Sequence, residues 1–143
     1  MVEINNSEVV RHFLDTLIDI SSRKTTKGHA VFTMADLIKK LENKYDFLKY
    51  IELKDTRYTE WGEPVSVMAD MDRVKSKELG HALYDIIKTM NSQLGKDAGH
   101  FFVKEVKENL QETYNENFED MGLDLSLVQL EEEIRELSKA IQK

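Results

Sequence analysis

Five apolar residues recur near the end of the chain at alternating intervals of three and four. They are Leu127, Leu130, Ile134, Leu137 and Ile141. This heptad spacing places one narrow apolar stripe along a helix whose other positions are polar or charged. A single helix cannot bury such a stripe alone, so the pattern predicts that residues 126–143 form a dimerisation or linker helix. The alternative is that the stripe folds back on its own domain.

Two heptads make a marginal coiled coil in isolation. A dimer built on this stripe would therefore need further apolar surface from a neighbouring element. The preceding long helix offers Tyr114 and Phe118 for that purpose. The sequence thus predicts a homodimer in which these two aromatic residues join the interface.

The first third of the chain shows helical periodicity interrupted by a short apolar run. Ser7 is a predicted N-cap, and apolar positions on one face predict a first helix over residues 7–22. After a polar stretch, residues 29–32 form a candidate third strand for the sheet described next. Thr33 would then cap a second helix over residues 34–45.

The apolar period then changes from helical to alternating. Residues 48–53 are rich in strand formers, and residues 65–72 alternate apolar and polar side chains. These segments predict an antiparallel hairpin with a long loop. The loop carries Tyr58 and Trp61, which either cap the core or form a recognition surface for a ligand or protein partner.

The second half of the chain returns to helical periodicity. A broad apolar stripe predicts a core helix over residues 76–94 that covers the sheet, followed by a long helix over residues 97–120. Gly122 should end that helix, and Asp124 or Ser126 should start the last one. The positions predicted to be almost fully buried are Ile86, Ile87, Phe102 and Val106. The predicted fold is a single α+β domain over residues 1–143, with a small antiparallel sheet packed by several helices.

Composition narrows the classes of function. The chain has no cysteine, which excludes disulfides, thiolate metal sites and cysteine nucleophiles. It has no apolar run of membrane-spanning length, and its N-terminus lacks the pattern of a signal peptide, so a cytoplasmic location without membrane contact is expected. Residues 76–143 carry 8 Lys/Arg against 14 Asp/Glu, a net charge of −6, which disfavours nucleic-acid binding.

Candidate chemistry is sparse. The sequence has no nucleophile elbow, phosphate-binding loop or dinucleotide fingerprint, and no two histidines are three or four residues apart. These observations favour a protein that is not an enzyme and has no metal site. His81 and His100 could approach each other across a helical hairpin, where they would be candidate haem ligands in a haem or small-molecule sensor. Otherwise no cofactor is expected.

The order of helix, short strand, helix and hairpin also suggests a second class, a winged-helix-like transcriptional regulator. Its wing would be the loop over residues 55–64. Such a domain needs a recognition helix before the wing, and the available segment, residues 46–53, is better suited to a strand. DNA binding is therefore the less favoured alternative.

Two stretches of the second half carry a likeness to a known group of proteins. They are LGKDAGHFFVKEVKENL at residues 94–110 and MGLDLSLVQLEEEI at residues 121–134. In pattern they resemble small sensory or output domains of archaeal signal-transduction proteins. The resemblance implies a compact α+β unit that feeds a C-terminal helical linker and binds a ligand or partner without catalysis. It assigns no ligand and no functional residue. The function expected from the sequence is a homodimeric signalling or regulatory module.

Overall fold

The protein is mostly helical, with one small sheet. The computed structural model describes residues 5–23, 26–53, 65–93 and 95–141. The helices within these ranges are α1 (Asn6–Ser21), α2 (Lys27–Leu41), α3 (Ser76–Gln93), α4 (Gly95–Met121) and α5 (Leu125–Ile141). Two three-residue strands, β1 (Ile51–Leu53) and β2 (Val65–Val67), pair in antiparallel register with Glu52 opposite Ser66. The predicted small antiparallel sheet is confirmed within a fold dominated by helices.

The first helix lies where its periodicity predicted, but its N-cap is different. Asn5 occupies the cap position, and the backbone N–H of Ser7 donates to Asp72 Oδ1 at 2.7 Å. Asp72 belongs to a 3₁₀ helix at Ala69–Arg73, which follows β2. The carboxylate of a distant segment therefore satisfies one of the free N–H groups at the start of α1.

The predicted third strand is wrong, because residues 29–32 belong to α2. The hydroxyl of Thr26 accepts a hydrogen bond from the backbone N–H of His29 at 3.1 Å, and this cap starts the helix seven residues earlier than Thr33 would. Ala30, Val31 and Met34 are buried in the helix. A short apolar run fits a helix as well as a strand, and here the cap and the burial decide for the helix.

The strands are shorter than predicted because 3₁₀ helices flank them. Asp46–Tyr50 forms a 3₁₀ helix before β1, where Leu48 N–H donates to Tyr45 C=O, and Ala69–Arg73 forms the one after β2. Leu48 and Met71, one from each segment, are fully buried. The segment considered as a recognition helix is therefore one 3₁₀ turn followed by a strand, and it is not an α-helix that could enter a major groove.

The core lies where the helical stripes predicted it. Ile86 and Ile87 on α3 and Phe102 and Val106 on α4 are all at most 1% exposed, which confirms their predicted burial. The prediction that α3 covers the sheet is wrong, because α3 packs chiefly on α4, whereas α1 makes the extensive contact with β2. A pair of three-residue strands is too small to cover the broad apolar face of α3.

Helix α4 is bent at Tyr114, whose φ of −116° and ψ of 21° are not helical. Tyr114 and Phe118 are both buried, at 4% and 1% exposure, and Phe118 packs edge-to-face on Phe13 of α1. The prediction that these two aromatic residues extend a dimer interface is therefore wrong. Their side chains already belong to the core between α1 and α4.

The end of α4 fixes how α3 and α5 are placed. Gly122 has a positive φ of 73°, its N–H donates to Glu119 C=O, and Leu123 N–H donates to Phe118 C=O. This is the glycine-terminated helix end that sequence patterning predicted. The last turn of α4 presses on α3 at Gly80, where a Cβ atom would lie 2.0 Å from the carbonyl oxygen of Met121. Only a residue without a Cβ allows this helix crossing.

Candidate interaction surface

Helix α5 exposes the stripe that its heptad spacing predicted. The described members Leu127, Leu130, Ile134 and Leu137 are 49%, 50%, 54% and 64% exposed. Ile141 continues the stripe in sequence, but its side chain lies outside the described part of the chain. The stripe does not fold back on its own domain over these four positions. We refer to Leu127, Leu130, Ile134 and Leu137 as the α5 stripe.

Another face of α5 holds the helix against the domain. Leu125 and Val128 are at most 2% exposed and bury the first turn. Asp124 Oδ1 accepts from the N–H groups of Ser126 and Leu127 at 3.0 and 3.2 Å, so Asp124 is the N-cap that the sequence suggested. At about 100° per residue, the buried face and the α5 stripe point in widely different directions.

A polar cluster with α3 sets the rotation of α5 one turn further along. The hydroxyl of Tyr84 donates to Glu131 Oε2 at 2.5 Å, and Lys88 Nζ lies 3.7 Å from the same oxygen. The hydrogen bond to the Glu131 carboxylate, with burial as a second cause, raises the pKa of the Tyr84 hydroxyl above its usual value. The contact itself holds the Glu131 side of α5 against α3.

The α5 stripe stands out among the exposed apolar side chains of the described residues. Four of the six large apolar residues that are strongly exposed lie on this one helix face. Of the other two, Phe32 lies on α2 and Met68 lies between β2 and the 3₁₀ helix that follows it. Single exposed apolar residues are ordinary on protein surfaces, whereas a contiguous apolar strip marks an interaction site. The geometry thus singles out α5 as the candidate interaction surface.

The aromatic loop candidates, Tyr58 and Trp61, lie outside the described residues. Whether they cap the core or form a recognition surface stays a prediction. The described ends of the hairpin are Leu53 and Val65, which pair with each other in the sheet.

The histidine candidates are not brought together by any described contact. His81 lies on α3 with its side chain exposed to solvent, and His100 lies on α4 with its side chain outside the described part. Haem iron is held by axial side chains in a closed apolar pocket, so an exposed His81 offers poor surroundings for it. The haem-sensor alternative stays a prediction without a supporting contact among the described residues.

Carboxylates do not converge into a cation site in the part of the chain that the structure covers. No group of three metal-binding side chains occurs among the described residues. Asp72 accepts from the start of α1, and Asp85 accepts from the Tyr45 hydroxyl at 2.6 Å and from Lys44 Nζ at 3.1 Å. These carboxylates join one element to another, which is a structural role.

A cleft of about 390 Å³ opens between the two 3₁₀ helices and the start of α3. It is lined by Asp46, Phe47, Tyr50, Asp70, Arg73, Val74, Lys75 and Glu78. The lining combines three carboxylates with two cations around two aromatic rings. Charges of both signs in a shallow cleft select no single class of ligand.

One cluster of titratable side chains was missed by sequence reasoning. His12 on α1 lies against the bend of α4, where its Nδ1 shares a short hydrogen bond with the Tyr114 hydroxyl. Its Nε2 lies 2.9 Å from a guanidinium nitrogen of Arg11. Because a guanidinium can only donate, Nε2 is the acceptor in this contact. His12 and Tyr114 are 102 positions apart, and no local pattern links them.

Burial raises the pKa of the Tyr114 hydroxyl above its usual value of 10.0, and the nearby carboxylate of Glu8 adds to the effect. The folded protein therefore keeps this proton where the unfolded chain loses it, so stability should fall as pH rises above about 10. We expect Tyr114→Phe to show a smaller loss of unfolding free energy between pH 9 and pH 11 than the wild type, measured by urea denaturation. Tyr50→Phe on the half-buried Tyr50 is the control. Equal pH dependence in wild type and Tyr114→Phe would contradict this assignment.

The chain has no match among protein-family models, curated proteins or solved structures. The resemblance to archaeal signalling domains therefore stays a prediction. Among the described residues, no helix combines the length and apolar character needed to cross a bilayer. Function has to be inferred from the surface that this chain presents.

Proposed function

We propose that this chain is a non-enzymatic regulatory module that self-associates through the α5 stripe. The observation that supports the proposal is the half-exposed row of Leu127, Leu130, Ile134 and Leu137 on a helix anchored by its other face. The absence of catalytic sequence motifs agrees with an interaction role. The net charge of −6 over residues 76–143 argues against a phosphate backbone as the partner.

The free energy available from the α5 stripe is compatible with a dimer of moderate affinity. Burying the exposed remainder of these four side chains on two helices contributes on the order of 6–12 kcal/mol. Loss of translational and rotational freedom on association costs about 4–15 kcal/mol. The most favourable combination leaves about 8 kcal/mol, so the proposal implies a dissociation constant of about 1 μM or weaker, which suits a reversible regulatory contact.

Sedimentation equilibrium at roughly tens of micromolar tests the proposal. We expect the wild type to be a dimer and the double variant Ile134→Asp with Leu137→Asp to be a folded monomer, because two carboxylates cannot be buried in an apolar seam. Folding should persist since both side chains are more than half exposed in the single chain.

The matched control adds the same two charges elsewhere. Asn109 and Thr113 are exposed on α4, one helical turn apart, and lie outside the α5 stripe. Asn109→Asp with Thr113→Asp should therefore leave the dimer intact. A monomeric wild type at these concentrations would refute self-association, and an Ile134→Asp with Leu137→Asp variant that stays dimeric would place the interface away from α5.

A further inference from the structure

The α5 stripe and Ile141, which continues it in sequence, consist of leucine and isoleucine only. In heptad notation, Leu127, Ile134 and Ile141 occupy position a, and Leu130 and Leu137 occupy position d. Two of the three a residues are β-branched, and both d residues are leucine. That combination favours two parallel strands over trimers or tetramers, because the side chains pack at different angles in the two layers.

The residues that flank the stripe select the same orientation. Positions g hold Ser126 and Glu133, and positions e hold Glu131 and Ser138. In a parallel pair, each g residue faces the following e residue of the other helix. Ser126 then faces Glu131, and Glu133 faces Ser138. Each acid meets a hydroxyl, and no two carboxylates oppose each other.

The antiparallel alternative places like charges together. In the antiparallel register that pairs all four described members of the α5 stripe, e residues face e residues and g residues face g residues. Glu131 then lies beside the Glu131 of the second copy, and Glu133 beside its Glu133. The e and g positions over residues 126–140 contain no lysine or arginine that would face Glu133. At Glu131, Lys88 of α3 lies 3.7 Å from the carboxylate and weakens the repulsion, so the charge argument rests chiefly on Glu133. Like charges juxtaposed across an interface act against that pairing.

We infer that the α5 stripe takes a second copy of this chain in parallel, in-register alignment. The inference rests on the self-association proposed above and adds its geometry. A parallel pair brings each core position opposite its own counterpart and places the two domains side by side at the N-terminal end of the paired helices. A partner helix of another protein, rich in lysine, is the competing occupant that the test separates.

Single cysteines test the alignment, because the chain has none of its own. Leu130→Cys and Leu137→Cys are made separately, kept reduced, and then oxidised gently in solution. Facing Cα atoms in a parallel pair come within the roughly 4–7 Å that a disulfide spans. Both variants should therefore cross-link to themselves, with a cross-linked fraction roughly tenfold above that of Gln129→Cys, which lies off the seam.

Cross-linking at both positions would exclude the antiparallel alternative. They are seven residues, or about 10.5 Å, apart along the helix. An antiparallel pair has a single crossing point, so it can bring at most one of them close to its own counterpart. Cross-linking of one variant or of neither, in a protein that sedimentation shows to be dimeric, overturns the parallel alignment and leaves self-association standing. A monomeric wild type overturns both and leaves the α5 stripe to a different partner.

Discussion

Phe102→Ala and Ile86→Ala should each lower the free energy of unfolding by about 2–5 kcal/mol. Ile86 lies on α3 and Phe102 on α4, two helices that pack on each other, and both residues are at most 1% exposed. Truncation removes apolar contacts and leaves a cavity that two long helices cannot close without moving. Urea denaturation followed by circular dichroism measures the loss directly.

The chain offers a matched control for the phenylalanine substitution. Phe32 on α2 is 71% exposed, so Phe32→Ala removes the same atoms from a site that is already hydrated. We expect it to change the unfolding free energy by less than about 1 kcal/mol. If Phe102→Ala and Ile86→Ala cost no more than Phe32→Ala, the α3–α4 contact would not be the centre of the core.

Gly80→Ala should destabilise the fold although alanine is the better helix former. Alanine gains about 1 kcal/mol over glycine inside a helix. At Gly80, however, the added methyl group would lie 2.0 Å from the Met121 carbonyl oxygen, a backbone atom that cannot rotate away. The helices must separate, and such overpacking costs about 1–3 kcal/mol or more. We expect a net loss, measured as a lower urea midpoint.

Lys77→Ala is the control for the effect of placing an alanine in α3 at a position that is exposed, in the first turn of the helix. It should leave the urea midpoint nearly unchanged. A Gly80→Ala protein as stable as the wild type would show that α3 and the end of α4 do not cross as closely as described. Gly80 would then be an ordinary helical glycine.

Periodicity predicted the long helices because each helix buries one continuous face. The residues of that face are only three or four positions apart in the sequence. The same reasoning failed at residues 29–32, where a short run of residues carries no period and the cap at Thr26, three residues before it, decides the structure. It also failed to foresee the bend at Tyr114. That residue contacts His12 across the core, and such a contact depends on how α1 and α4 dock.

The exposure of the α5 stripe was predicted only in part, for a related reason. The heptad spacing of Leu127, Leu130, Ile134 and Leu137 is visible in the sequence, but spacing alone does not tell which face of a helix packs on its own domain. Leu125 and Val128 form a second, shorter apolar face, and the structure buries that one. The hydrogen bond between Tyr84 and Glu131 links residues 47 positions apart and could be found only once α3 and α5 were placed side by side.

Because α5 has one anchored face and one exposed face, substitutions on the two faces should have different effects. Residues such as Val128 contribute to the folding of one chain, whereas residues such as Ile134 make few contacts within it. Substitutions at sites without shared partners act almost independently. The strength of the proposed self-association can therefore be changed by substitutions on one side of α5 while the domain beneath it keeps its stability.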